Sequence, residues 1–177
     1  RLIARATTGS YPAGATSLTY TLLRINANGS LDTTFNAPTT QWSTSTSFPT
    51  VTDAQTNGGA AAQTTAHVVS GSPFTGAVPV SDGTLLVYGI FTQLGGQPAP
   101  GLARLTATGA LDNTFNVGTG AQLRYQHGRS AQVEGVTVAA DGKVWITGAF
   151  DTFNGVAAPG IDRLNADGTV DLGFATD

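Results

Sequence analysis

Apolar and polar positions alternate along 136–140. The same period of two resumes along 143–150, where Val144, Ile146 and Gly148 share one face. That period belongs to a β-strand with one face buried. Between the two runs stands Asp141-Gly142, a pair suited to a tight hairpin turn. A loop with Asn154-Gly155 and Pro159-Gly160 follows. A third strand-like run covers 161–165, a turn sits at Ala166-Asp167-Gly168, and a fourth run covers 169–174. The stretch therefore predicts four short antiparallel strands in about 60 residues. No segment sustains the 3.6-residue period of a capped helix, so helix is expected to be scarce.

The pattern recurs. LLRINANGSLDTTF (22–35), LARLTATGALDNTF (102–115) and IDRLNADGTVDLGF (161–174) align without a gap. Arg24, Arg104 and Arg163 are 80 and 59 residues apart, and each precedes an aspartate by eight positions: Asp32, Asp112 and Asp171. The segments close on Phe35, Phe115 and Phe174. Upstream, VPVSDGTLLVYGIF (78–91) matches VTVAADGKVWITGAF (136–150), and Gly9-Ser10-Tyr11 aligns with Gly89-Ile90-Phe91 and Gly148-Ala149-Phe150. Self-similarity of this kind marks a repeat architecture. The expected fold is all-β: tandem four-stranded antiparallel blade-like repeats, β-propeller-like, about three units and not closed on its own. Propellers close with about four to eight blades. The expected divisions are a partial unit over 1–36 lacking its first strand, a Thr/Ser/Ala-rich insertion over 37–76, a second unit over 77–116 and a third over 117–177.

Each recurring residue has a physical reason. Arg163 and Asp171 lie symmetrically about Asp167, which fits a three-residue hairpin loop with Gly168 in the left-handed conformation; Gly29 and Gly109 hold the same place. The Arg–Asp pairs then face each other across adjacent strands, where opposite charges contribute about 0.2–1 kcal/mol and fix register. Phe35, Phe115, Phe174, Tyr11, Phe91 and Phe150 are expected to be buried at equivalent places. Leu2–Thr8 is a strand without its preceding partner. It is expected to pair outside its own unit, with the insertion or with a neighbouring copy.

These residues resemble the delta-sixty repeat family, a set of predicted β-propeller repeats in large secreted or surface bacterial proteins. The likeness is strongest in the third unit, through Asp141-Gly142-Lys143, Gly148, Phe150, Asn154-Gly155, Arg163-Leu164-Asn165, Asp167-Gly168, Asp171 and Phe174. The second unit departs with Thr84 for the lysine, Gly95-Gly96 for Asn-Gly and Thr108 for the aspartate. The first matches mainly from Arg24 to Phe35. The resemblance implies a fold and an extracellular setting, and it carries over no catalytic residues.

Composition narrows the chemistry. Of 177 residues only 19 are charged, the formal net charge is −3 and Lys143 is the single lysine. No basic footprint for nucleic acid is present, and no apolar run approaches the roughly 20 residues of a membrane helix, so neither nucleic-acid partners nor membrane insertion are expected. The absence of cysteine removes disulfides, zinc–thiolate sites and thiol nucleophiles. A start at Arg1 and the absence of methionine point to a processed product, a fragment or an excised region.

Asn165, Asp167 and Asp171 resemble part of an acidic calcium loop. Arg163 stands where that loop needs its first acid and no late glutamate follows, so turn chemistry is preferred. His67, His127 and the lone glutamate Glu134 form no recognisable acid–base or nucleophilic set. No catalytic residue, metal site or cofactor is expected. Tyr125, His127 and Arg129 make the most polar-aromatic loop and are a candidate binding loop. Asn28-Gly29-Ser30 fits the N-linked acceptor pattern, and Asp32-Thr33-Thr34 resembles an O-linked acceptor, which makes Asn28 and Thr33 candidate glycosylation positions and glycans candidate partners.

The expected function is structural: a non-enzymatic, extracellular or cell-surface, secreted β-repeat subunit of a fibre, ring or coat, with copies of itself as partners through edge strands. The alternative is a carbohydrate- or protein-binding propeller fragment of adhesin type, with the insertion and the 121–130 loop as its binding face.

Overall fold

In the computed structural model the described residues are 2–8, 17–43, 73–124 and 131–174. They form fourteen strands and no helix: β1 (Leu2–Thr8), β2 (Ser17–Ile25), β3 (Thr40–Ser43), β4 (Phe74–Pro79), β5 (Leu85–Gly89), β6 (Gln93–Leu94), β7 (Gln97–Pro98), β8 (Leu102–Leu105), β9 (Ala121–Gln122), β10 (Gln132–Val138), β11 (Val144–Ala149), β12 (Thr152–Phe153), β13 (Val156–Ala157) and β14 (Ile161–Leu164). Three principal sheets have the orders β1-β2-β3, β4-β5-β8 and β10-β11-β14, one per repeat, and every pairing is antiparallel.

The second and third units superimpose in register. Leu85 faces Leu105 as Val144 faces Leu164, and the first strand of each is bulged, between Phe74 and Gly76 and between Val133 and Gly135. A β-bulge adds one unpaired residue and bends its strand. The fourth run of each unit contributes a single bridge: Ile25↔Leu31, Leu105↔Leu111 and Leu164↔Val170. The Asn-Gly loop is more ordered than its sequence suggested. Thr152 and Phe153 pair with Ala157 and Val156 around Asn154-Gly155, and Gln93 and Leu94 pair likewise around Gly95-Gly96.

Two cores separate the three units. One lies between the first and second units and holds Leu22, Phe35, Phe74, Leu85, Val87, Phe91 and Leu105. The other lies between the second and third and holds Leu86, Leu102, Phe115, Val133, Val144, Ile146, Phe150 and Phe153. Alternate residues of β5 thus enter opposite cores. This explains why its sequence, Leu-Leu-Val-Tyr-Gly, is nearly continuous in apolar residues. β11 reads Val-Trp-Ile-Thr because only its Val144 and Ile146 side has a unit against it.

Two sequence expectations need correction. Leu2–Thr8 pairs within its own unit, with β2 from Leu2↔Ile25 to Thr8↔Thr19. The insertion does supply a strand, but that strand is β3, and it takes the far edge of β2. Among the described residues no strand pairs with the other edge of β1, the edge that β4 covers on β5 and β10 on β11. Leu2 is equivalent by pairing to Leu85 and Val144, so Ala6 stands where Gly89 and Gly148 stand in the other units. The alignment of Gly9 with those glycines is therefore three residues out. Tyr11 itself lies outside the described residues. Phe35, Phe91, Phe115 and Phe150 are buried, whereas Phe174 is only half-buried, with no other unit packed over it among the described residues.

Candidate functional site

The most organised chemistry is a contact built on each repeated arginine, with its aspartate and closing ring in all three units and with a turn carbonyl of the next unit in the first two. The hairpin that carries it is set by a Gly in the left-handed region: φ is +84° at Gly29, +93° at Gly109 and +89° at Gly168. This closes the loop, with Gly168 N–H donating to Asn165 C=O at 3.0 Å and Asn165 N–H to Thr169 C=O at 2.8 Å. The returning strand then brings Asp opposite Arg. Nε donates to the Asp Oδ2 at 2.8 Å for Arg24–Asp32 and at 2.7 Å for both Arg104–Asp112 and Arg163–Asp171. The guanidinium of each arginine lies over the closing ring of its own unit, 4.6 Å from Phe35, 5.0 Å from Phe115 and 5.1 Å from Phe174. Such cation–π contacts contribute about 0.5–2 kcal/mol.

In the first two units a second guanidinium nitrogen, Nη1, reaches the next unit. Arg24 Nη1 donates to the carbonyl of Ala107 at 2.5 Å, and Arg104 Nη1 to that of Ala166 at 2.7 Å. Both acceptors belong to the glycine turn of the following repeat. The backbone adds a parallel bond: Asn36 N–H donates to Thr108 C=O at 2.8 Å and Asn116 N–H to Asp167 C=O at 2.7 Å. The turn glycines of the second and third units sit directly against that backbone segment. A Cβ on Gly109 would lie 2.8 Å from the Asn36 backbone, and one on Gly168 would lie 3.0 Å from Asn116, while Gly29 has nothing within 4 Å. Sequence reading identified the Arg–Asp pairs and the turn glycines but missed their inter-unit contacts. The signal was present in the shared register of Ala27, Ala107 and Ala166.

The carboxylates are held ionised. The Thr34 hydroxyl, donating at 2.6 Å, and then Arg24 bring Asp32 down to about 2. Thr114 and Arg104 lower Asp112 in the same way. At Asp171 the main cause is Lys143, whose Nζ lies 3.1 Å from Oδ2, with Gly173 N–H and Arg163 adding to it. Asp162 goes the other way. It is buried, its Oδ2 lacks a partner among the described residues, and burial raises its pKa. The equivalent residue in the second unit is Ala103.

The calcium-like set is already engaged. Asn165 Oδ1 accepts from Lys143 Nζ, Asp167 Oδ1 accepts from the Thr169 N–H and hydroxyl, and Asp171 holds Lys143 and Arg163. Asn28 and Thr33 are exposed, and Asn28 Oδ1 accepts from the Ser30 hydroxyl at 2.8 Å. Tyr125, His127 and Arg129 lie outside the described residues, as does His67. A cleft of about 160 Å³ lies between the 98–103 and 111–118 segments. Typical small-molecule sites run to roughly 300–1,000 Å³.

Small antiparallel sheets of repeated sequence, packed against one another and open at both ends, define a propeller-type repeat protein. Segments 2–35, 81–115 and 139–174 match the family described as domain of unknown function (DUF5122) beta-propeller. They make up more than half of the chain, and the chain belongs to that family. No curated protein and no solved structure matches it.

Proposed function

We propose that this chain is a non-enzymatic structural subunit, of the delta-sixty type within the propeller repeats, that assembles with copies of itself into a fibre, ring or coat at the cell surface or outside the cell. One observation carries the reading. The exposed large apolar side chains among the described residues, Leu31, Ile161 and Leu172, all belong to the first and third units, and none to the second. A repeat stack whose end units offer apolar side chains and an open strand edge is suited to being continued. Low charge, absence of cysteine and abundant hydroxyl side chains fit an extracellular scaffold that needs no redox chemistry. Copies would add through the edge of β1 and the faces of the terminal units. Sedimentation velocity over a thousandfold range of concentration tests this. Growth of the particle with concentration is expected, and a monomer at every concentration contradicts it.

A further inference from the structure

We infer that the third unit's outer face seats the first unit of a second copy head to tail, with Arg163 donating to the Ala27 turn carbonyl and Ile161 covered; this rests on the self-assembly reading above. The contact is already built twice within the chain. Arg24 binds the Ala107 carbonyl and Arg104 binds the Ala166 carbonyl, each across a unit boundary. Arg163 has the same posture, held by Asp171 and stacked over Phe174, yet among the described residues no carbonyl meets its Nη1. At the chain's other end the matching acceptors are the carbonyls of Ala27 and Asn28. A Cβ on Gly29 beside them would meet nothing within 4 Å among the described residues, where one on Gly109 or Gly168 would press on the preceding unit.

Burial follows the same logic. Leu102 is 1% exposed under the third unit, and its equivalent Ile161 is 37% exposed. Trp145, in the place of the buried Leu86, is half-buried and lies edge-on to Phe174 at 4.8 Å. Opposite, Leu31 is 49% exposed although its equivalents Leu111 and Val170 pack into the two cores. One face therefore offers a cation and an apolar patch, and the other offers turn carbonyls and a leucine. The two differ, so the contact is heterologous and can propagate or close into a ring.

The test uses the full chain, with Ile161→Glu to disable the outer face of the third unit and Leu31→Glu to disable the first. Both positions are exposed, so both variants should unfold close to wild type. If Ile161→Glu does not fold, Arg163→Gln replaces it. Sedimentation equilibrium is expected to show wild-type assembly and association weakened about 100-fold in each variant alone. A mixture of the two should recover a one-to-one heterodimer, since each variant retains one intact face. If wild type assembles and the variants assemble equally well, the head-to-tail contact is wrong while self-assembly stands. A mixture that recovers nothing also overturns the contact. A wild type that is monomeric throughout overturns both.

Discussion

Gly29, Gly109 and Gly168 occupy one turn position three times, but only two of them touch another unit. An L side chain in the left-handed region costs about 1–2 kcal/mol at any of them. Gly109→Ala should cost more than Gly29→Ala, by roughly 1 kcal/mol or more, because only Gly109 faces the Asn36 backbone at 2.8 Å. Chemical denaturation of the two variants measures that difference. The acids make opposite predictions. Asp32, Asp112 and Asp171 are lowered from an ordinary value of 3.8, so their contribution is complete above that value. It is lost as pH falls towards the folded-state value, which is about 2 for Asp32. Melting temperature should therefore drop between about pH 4 and pH 2, and Asp32→Asn should flatten part of that drop. Asp162 is raised, so its protonated form is favoured in the fold and stability falls as pH rises through its folded pKa. Asp162→Ala, the residue found at Ala103, should stabilise at neutral pH by about 1–2 kcal/mol. A neutral or destabilising result in thermal unfolding would refute that.

At the scale of the element, the strands and turns were legible because they depend on local chemistry. Period-two runs gave β10, β11 and β14, and Asp-Gly and Asn-Gly gave the turns. The bulges, the β6–β7 and β12–β13 hairpins and the true register of β1 were not legible. Each is decided by which strand lies alongside, and sequence spacing does not carry that. The Gly9 alignment failed for this reason: β1 and β2 run on as one long hairpin where the other units break at a glycine. The Arg–Asp pairs were readable from their spacing of eight, but the reach of Arg24 and Arg104 into the next unit needed the packing. That reach separates two otherwise identical substitutions. Arg104→Gln removes a bond to the third unit and should cost about 1.5–3 kcal/mol. Arg163→Gln, measured on the dilute monomer, removes contacts to Asp171, Phe174 and Trp145 within its own unit and should cost about 1 kcal/mol or less. Equal costs in denaturant unfolding would argue that the inter-unit bond contributes nothing.

At the scale of the whole molecule, the three principal sheets share two cores, and each core belongs to a pair of units. Such an arrangement draws its stability from nearest-neighbour interfaces. In the middle unit β5 lies between both cores and is nearly continuous in apolar residues, whereas β11 of the third unit alternates. The sequence suggests a repeat, a blade and an open stack, because those follow from period and count. It could not say that the arginines form the joints, nor that the end units differ from the middle one mainly in what covers them. Thiol labelling tests that last difference, since the chain has no cysteine of its own. Labelling of Ile161→Cys is measured at low and high protein concentration, beside Asn154→Cys on an exposed loop as the control. The account predicts rapid reaction of position 161 when dilute and strong protection when concentrated, with the control unchanged. Equal labelling of position 161 at every concentration would contradict it.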